Sequence, residues 1–429
     1  MKNTFIISCP IDTYSGYGAR SRDVVKALIE LNKYEVKVLP QRWGNTPWGF
    51  IEDNEEWHFL KPHLLPAGNQ LPHKPDIWAQ ITVPNEFQPV GEYNIGITAG
   101  IETDTCAPQW LEGMNRMDIN FVSSQHSKTV FENTNYEVKH PQTNQVQGTL
   151  KLSKPIEVLF EGADLDTYYP DNSPCMIDFN IKESFAYLFV GHWLPGVLNE
   201  DRKNVGLLIK AFFETFKNKK KQPALILKTS LQGPSYMDRD EILRRISEIR
   251  STVNSSNLPN VYLLHGDFTN SEMNSIYNHS KIKAMVNLTK GEGFGRPLLE
   301  FSLTGKPIIS TNWSGHIDFL NSEFTTLLGG NLTPIHPSAQ VKDMLIEGSK
   351  WFSPDHGQIG GYLKDVFENY KNYTDGGKRQ AYYSKTNFSF DKMKELLGEL
   401  LETNVPEISK QVQLELPKLN LPKLQKIDG

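Results

Sequence analysis

At 429 residues, with 38% hydrophobic and 22% charged side chains, the chain carries apolar material for two or three ordinary domains rather than one. A formal charge of -5 and a pI near 6.2 exclude a protein held on nucleic acid or anionic lipid by bulk charge. Mean hydropathy is -0.45, and no apolar run reaches the roughly 18 residues of a membrane-spanning helix.

The first strand is expected at Thr4 to Cys9, an apolar run closed by Pro10 and too short for a secretory signal. A turn is read at Ser15-Gly16-Tyr17-Gly18, then a helix from Ala19 to Leu31 with Val24, Val25, Leu28 and Ile29 on its apolar side. Val36 to Leu39 is the next strand. Strand, glycine turn, helix, strand is the unit of a parallel sheet. Trp43 to Leu71, rich in Trp, Pro and His, reads as an irregular insertion on the binding side. Further buried strands are expected at Ile77 to Val83, Tyr93 to Ala99 and Asn120 to Ser123.

Breaker residues around Tyr168-Tyr169-Pro170-Asp171 mark a linker. A second series then alternates strands at Phe185–Val190, Ala224–Lys228, Val261–His265, Ile282–Leu288 and Pro307–Thr311 with helices at Val205–Phe216, Asp240–Ser251, Asn270–Asn278 and Leu298–Thr304. That is a second doubly wound α/β domain. A last amphipathic helix is read over Asp391 to Glu402. Beyond it Leu416-Pro417-Lys418-Leu419 recurs as Leu421-Pro422-Lys423-Leu424, whose prolines predict an extended tail. The expected organisation is an N-terminal domain (1–168), a linker (169–183), a C-terminal domain (184–385), a return helix (386–402) and the tail (403–429). Cys9, Cys106 and Cys175 form no CxxC or metal spacing and read as reduced thiols of a cytoplasmic protein.

The most informative stretch is Lys290-Gly291-Glu292-Gly293-Phe294-Gly295-Arg296-Pro297-Leu298-Leu299-Glu300. It follows an apolar strand and opens a helix, so its backbone N–H groups are expected at the positive end of a helix dipole. Its glycines allow close backbone approach to a ligand, and Pro297 suits a first helical turn. Of the two glutamates, Glu292 sits in the loop and Glu300 one turn into the helix. One carboxylate can take hydrogen bonds from a sugar, the other from ribose hydroxyls.

This string resembles the Glu-x7-Glu motif of retaining glycosyltransferases of the GT-B fold, in particular family 4 (glycosyl transferases group 1). Gly305-Lys306-Pro307-Ile308-Ile309-Ser310-Thr311 and Ser314-Gly315 match the usual continuation. The resemblance is strong over about residues 184 to 320 and fainter over 1 to 170. It implies two facing Rossmann-like domains with a cleft between them and a C-terminal return helix. It also implies transfer of a hexosyl or pentosyl unit from a nucleotide diphosphate sugar with retention. By the same resemblance Arg202 and Lys203 hold the donor diphosphate, Gly16 and Gly18 face its phosphates across the cleft, and Gly293, Phe294, Gly295 and Glu300 complete the donor site. Two fixed cations counter a pyrophosphate without a metal, so none is expected and no cofactor is required.

Glu292 is the catalytic candidate that positions the sugar. Many family members carry a histidine after the strand at Tyr93 to Ala99, whereas this chain has Gly100-Ile101-Glu102-Thr103-Asp104. Glu102 and Asp104 are the carboxylates there that can take an acceptor proton. His126 is a further candidate, or a helix cap. Asp164-Leu165-Asp166 is a DxD triplet, but its place before the linker argues for a structural role. Arg20 and Arg22 can meet a phosphate or lie in solvent. With Arg42 they form the patch that a modified DNA acceptor would need, although residues 1–165 hold 14 Lys/Arg against 20 Asp/Glu. The acceptor stays open among a glycan, a lipid-linked sugar, a protein and a hydroxylated DNA base. The rival readings are a nucleotide-sugar epimerase of the same fold and a non-catalytic sugar-nucleotide or glycan-binding protein.

Overall fold

Both halves of the chain are organised by short apolar strands buried on both faces, the pattern that a parallel sheet covered by helices demands. The structure, a computed structural model, describes residues 2–66, 71, 74–177, 179–231 and 233–408. In the first half come β1 (Thr4–Cys9), α1 (Gly16–Leu31), β2 (Glu35–Pro40), α2 (Phe50–Asp53), β3 (Ile77–Ile81), β4 (Tyr93–Thr98), α3 (Pro108–Asn115), β5 (Ile119–Val122), α4 (Gln125–Asn133), the hairpin β6 (Asn135–Lys139) and β7 (Val146–Lys151), and β8 (Ile156–Val158). Six of these strands form a sheet in the order β2-β1-β3-β4-β5-β8, parallel throughout.

The second half runs β9 (Ala186–Val190), α5 (Val205–Phe216), β10 (Ala224–Lys228), α6 (Tyr236–Ser251), β11 (Val261–Leu264), α7 (Asn270–Asn278), β12 (Ile282–Asn287), α8 (Arg296–Ser302), β13 (Ile308–Thr311) and β14 (Thr326–Leu328). Their sheet is ordered β11-β10-β9-β12-β13-β14, again all parallel. The order reverses between β9 and β12, so the crevice at their carboxyl ends is where a doubly wound sheet places a ligand. An antiparallel hairpin, β15 (Gly330–Pro334) and β16 (Lys350–Pro354), follows, and then α9 (His356–Glu368), α10 (Lys371–Asn387) and α11 (Phe390–Asn404).

The last helix belongs to the first core. Phe390, Met393, Leu397 and Leu401 of α11 are buried with Phe5, Val24 and Leu28 of β1 and α1, and Gly398 lets Leu31 approach. Burying such side chains stabilises by about 2 kcal/mol each. The segment joining the domains is pinned rather than loose, since Asn274 and Asn278 of α7 accept from the backbone N–H groups of Tyr169 and Asp171. Residues 409–429, most of the expected tail, lie outside the described residues.

Two sequence expectations are corrected, and the Asp164 triplet takes the structural role read for it. Where the sequence suggests a turn at Ser15–Gly18, α1 has already begun: the Ser15 side chain caps it by accepting from Gly18 N–H, so Gly16 and Gly18 lie in its first turn. Arg20 and Arg22 are neither solvated nor free for phosphate. Arg20 is fully buried on the Leu159 and Phe160 carbonyls, and Arg22 donates to the Ile11 and Thr13 carbonyls under the Phe50 ring. They answer backbone acceptors in the core, which dissolves the Arg20/Arg22/Arg42 patch. Finally, Asp164 turns back on its own chain, accepting from Asp166 N–H and pairing with Lys26. Among the described residues no group of three or more His, Cys, Asp or Glu is placed to hold a metal ion.

Candidate active site

The loop between β9 and α5 places two cations at the switch point. Asp201, almost fully buried, accepts from the Val205 N–H and so caps α5. Asn204 adopts a left-handed φ of 53° while its side-chain amide donates to the Leu288 carbonyl. Held from both ends, Arg202 and Lys203 point to one carboxylate. Lys203 is ion-paired with Glu292, and Arg202 Nη1 lies 3.5 Å from Glu292 Oε2 while donating to the Gly291 carbonyl at 2.7 Å. Burial pushes the Glu292 carboxyl upward, but Lys203 and Arg202 outweigh it and hold the pKa down at about 2. Glu292 N–H donates to Ser314 Oγ, which fixes the loop from beneath.

The facing wall is the loop after β4. A Cβ on Gly291 would overlap the Glu102 carbonyl, and one on Gly293 would overlap the Ala99 carbonyl, so only glycine permits this approach. Glu102 Oε1 reaches across to Arg202 Nη1 at 3.5 Å. Asp104 turns elsewhere. Its Oδ1 accepts from the Lys350 N–H at 2.7 Å and its own N–H donates to the Lys350 carbonyl, fastening β16 to the first domain. Of the two acceptor-side candidates, the structure brings Glu102 to the cations and commits Asp104 to the hairpin.

The remaining predicted donor residues divide similarly. The position of a Cβ on Gly16 is open, whereas one on Gly18 would overlap the Thr13 carbonyl, so Gly18 is demanded by packing. The Phe294 ring lies in the core, 5.0 Å from that of Phe319. Gly295, at φ 99°, precedes α8, which has only 7 residues and so contributes a weak dipole at this loop. Glu300 is buried and engaged: Arg296 Nε donates to its Oε1 at 3.0 Å and Tyr277 Oη to its Oε2 at 3.1 Å. Burial raises its pKa, against the pull of Arg296.

Arg296 is the functional-site residue that sequence reasoning passes over. Besides Glu300 it pairs with Asp23 of α1 and lies 3.8 Å from Glu161, making a second charged bridge between the domains. Its spacing of four residues from Glu300 is a legible signal for one of those contacts; the reach to Asp23 is not. His316 is also absent from the sequence reading. Fully buried under the glycine loop, it donates from Nε2 to the Thr311 carbonyl at 2.7 Å, and burial pushes its pKa down. His126 does not cap α4, since Ser124 does. Its ring meets Trp313 edge-on at 4.6 Å, and burial lowers its pKa to about 4.

No family model matches this chain, and neither does any curated protein. Solved structures do match over nearly its whole length. Sucrose-phosphate synthase from Thermosynechococcus elongatus has a TM-score of 0.62 at 12% identity, covering 94% of this chain and 99% of that one. A glycosyltransferase from Rickettsia africae has a TM-score of 0.60 at 13% identity, over 95% and 100%. HepE from Anabaena, solved with UDP-glucose, has a TM-score of 0.57 at 12% identity, over 94% and 100%. The two parallel-sheet domains are therefore a GT-B fold, as the motif implied. Among the described residues no helix is long and apolar enough to cross a membrane.

Proposed function

We propose that the protein is a retaining glycosyltransferase that moves a sugar from a nucleotide diphosphate sugar to an acceptor hydroxyl. The observation that carries this is the convergence of Arg202, Lys203 and Glu292 at the switch point of the second sheet. Departure of a nucleoside diphosphate builds negative charge as the anomeric carbon turns cationic. Cations fixed before the reaction begins stabilise that charge with little reorganisation. Arg202 and Lys203 supply it from the protein, so the reading requires no metal. Glu292, ionised down to about pH 2, is suited to orient sugar hydroxyls and to favour the developing positive centre. Neighbouring folds include one solved with UDP-glucose, which supports a nucleotide-sugar donor. We place the protein in the cytoplasm, where its three free cysteines stay reduced.

Saturation-transfer NMR against UDP-, GDP-, ADP- and CMP-sugars tests the donor, with Lys203→Gln as control. Transfer to one donor that is lost in the variant is the expected result. No transfer from any donor to folded protein overturns the proposal. Conversion of a bound sugar to its epimer without acceptor would favour the epimerase instead.

A further inference from the structure

Arg202 faces two carboxylates of unequal freedom. Glu292 lies on the same loop system, tied by its N–H to Ser314 and by its side chain to Lys203. Glu102 comes from the other domain, and among the described residues its one ion pair is with Arg202. The backbone of the same loop also lies over the glycines, with the Glu102 and Ala99 carbonyls against Gly291 and Gly293. A diphosphate oxygen that approaches Arg202 Nη1 competes there with the Glu102 carboxylate.

Building on the function proposed above, we infer that Glu102 is a stand-in anion: it neutralises Arg202 while the cleft is empty, and the donor diphosphate displaces it. The exchange is ionic and no covalent bond changes. A phosphate oxygen takes the place beside the guanidinium that the Glu102 carboxylate held, and the released carboxylate stays on the loop after β4. Glu102 is thus a positioning residue that couples donor occupancy to the acceptor side. The exchange also makes donor affinity lower than the two cations alone would give, since one of them must first lose a partner.

The test is calorimetric titration of the full chain with UDP, GDP and ADP, comparing wild type with Glu102→Gln, Arg202→Gln and the double variant. Glutamine keeps the size of the side chain, and a thermal melt checks that each variant folds. Glu102→Gln is expected to bind the preferred nucleotide about three- to tenfold more tightly. In the Arg202→Gln background the same change is expected to do nothing, because the competition is for that guanidinium. A merely structural Glu102 would not give this dependence on Arg202. Unchanged or weaker binding by Glu102→Gln overturns the inference, and so does a gain that persists without Arg202, which would mean general repulsion. Absence of binding by wild type and Glu102→Gln alike removes the proposed function itself.

Discussion

Two charged clusters join the domains, and they are built differently. Around Arg202 two cations meet two carboxylates, one of them arriving from the opposite domain through a single ion pair. Around Arg296 one guanidinium serves three carboxylates, Asp23, Glu161 and Glu300, with Arg20 buried nearby and Tyr277 donating to Glu300. The first cluster has cationic groups that an incoming anion can claim. The second has an excess of carboxylate around a shared arginine, so an anion has nothing to gain there. The contrast separates two cations that share two carboxylates from one cation that holds three; on the proposed function, the first would serve binding and the second cohesion.

Removing the shared guanidinium should break the clasp with the largest effect. Arg296→Met leaves buried carboxylates unpaired and is expected to cost about 3 kcal/mol or more in urea unfolding. Lys203→Gln should do the reverse, weakening nucleoside diphosphate binding by about 2 kcal/mol, roughly 30-fold, with a smaller change in the urea midpoint. Equal losses of stability from the two variants would erase the distinction. Asp201→Ala removes the cap that seats Arg202 and Lys203, and is expected to cost about 1 kcal/mol of stability along with weaker nucleotide binding.

The smallest effect is one of pH. The His126 pKa is lowered from 6.5 to about 4 by burial, so the unfolded chain takes up its proton first on acidification. Its contribution to stability is complete above about pH 6.5 and drains away as pH falls towards 4. Asp201, raised by burial to about 6, acts in the opposite sense between pH 6 and 3.8. His126→Asn should therefore flatten the acid limb of the stability curve relative to wild type. A parallel curve would show that the ring is not buried as described.

Legibility from sequence follows local apolarity. Thr4–Cys9, Val205–Phe216, Ala224–Lys228 and Asn270–Asn278 are bounded in the structure as they read in the chain, because each is an apolar or periodic run between breakers or polar caps. α10 is invisible in the sequence. Its Gly376-Gly377 pair sits mid-helix, where Gly377 lets the Gly305 carbonyl pack against the backbone and Gly376 does so for the Phe324 carbonyl. The hairpin of β15 and β16 escapes a sequence reading because its strands are short and its partners include Asp104 of the other domain. At the site, the Glu-x7-Glu string points to the loop and to both carboxylates. That Tyr277 also engages Glu300, and that Arg20 serves backbone carbonyls, depends on contacts between distant segments, which no local pattern encodes.

The placement of α11 has a consequence for how the protein is made. Its apolar face closes the core around β1 and α1, so the first half of the nascent chain leaves the ribosome with that surface bare. The second domain's core takes in Ile359, Leu363 and Val366 of α9, so α11 follows closely on the segments that complete it. The first domain's core is thus closed only by chain made after the second domain. Throughout that interval the unfinished half is a natural client for chaperones that shield apolar surface.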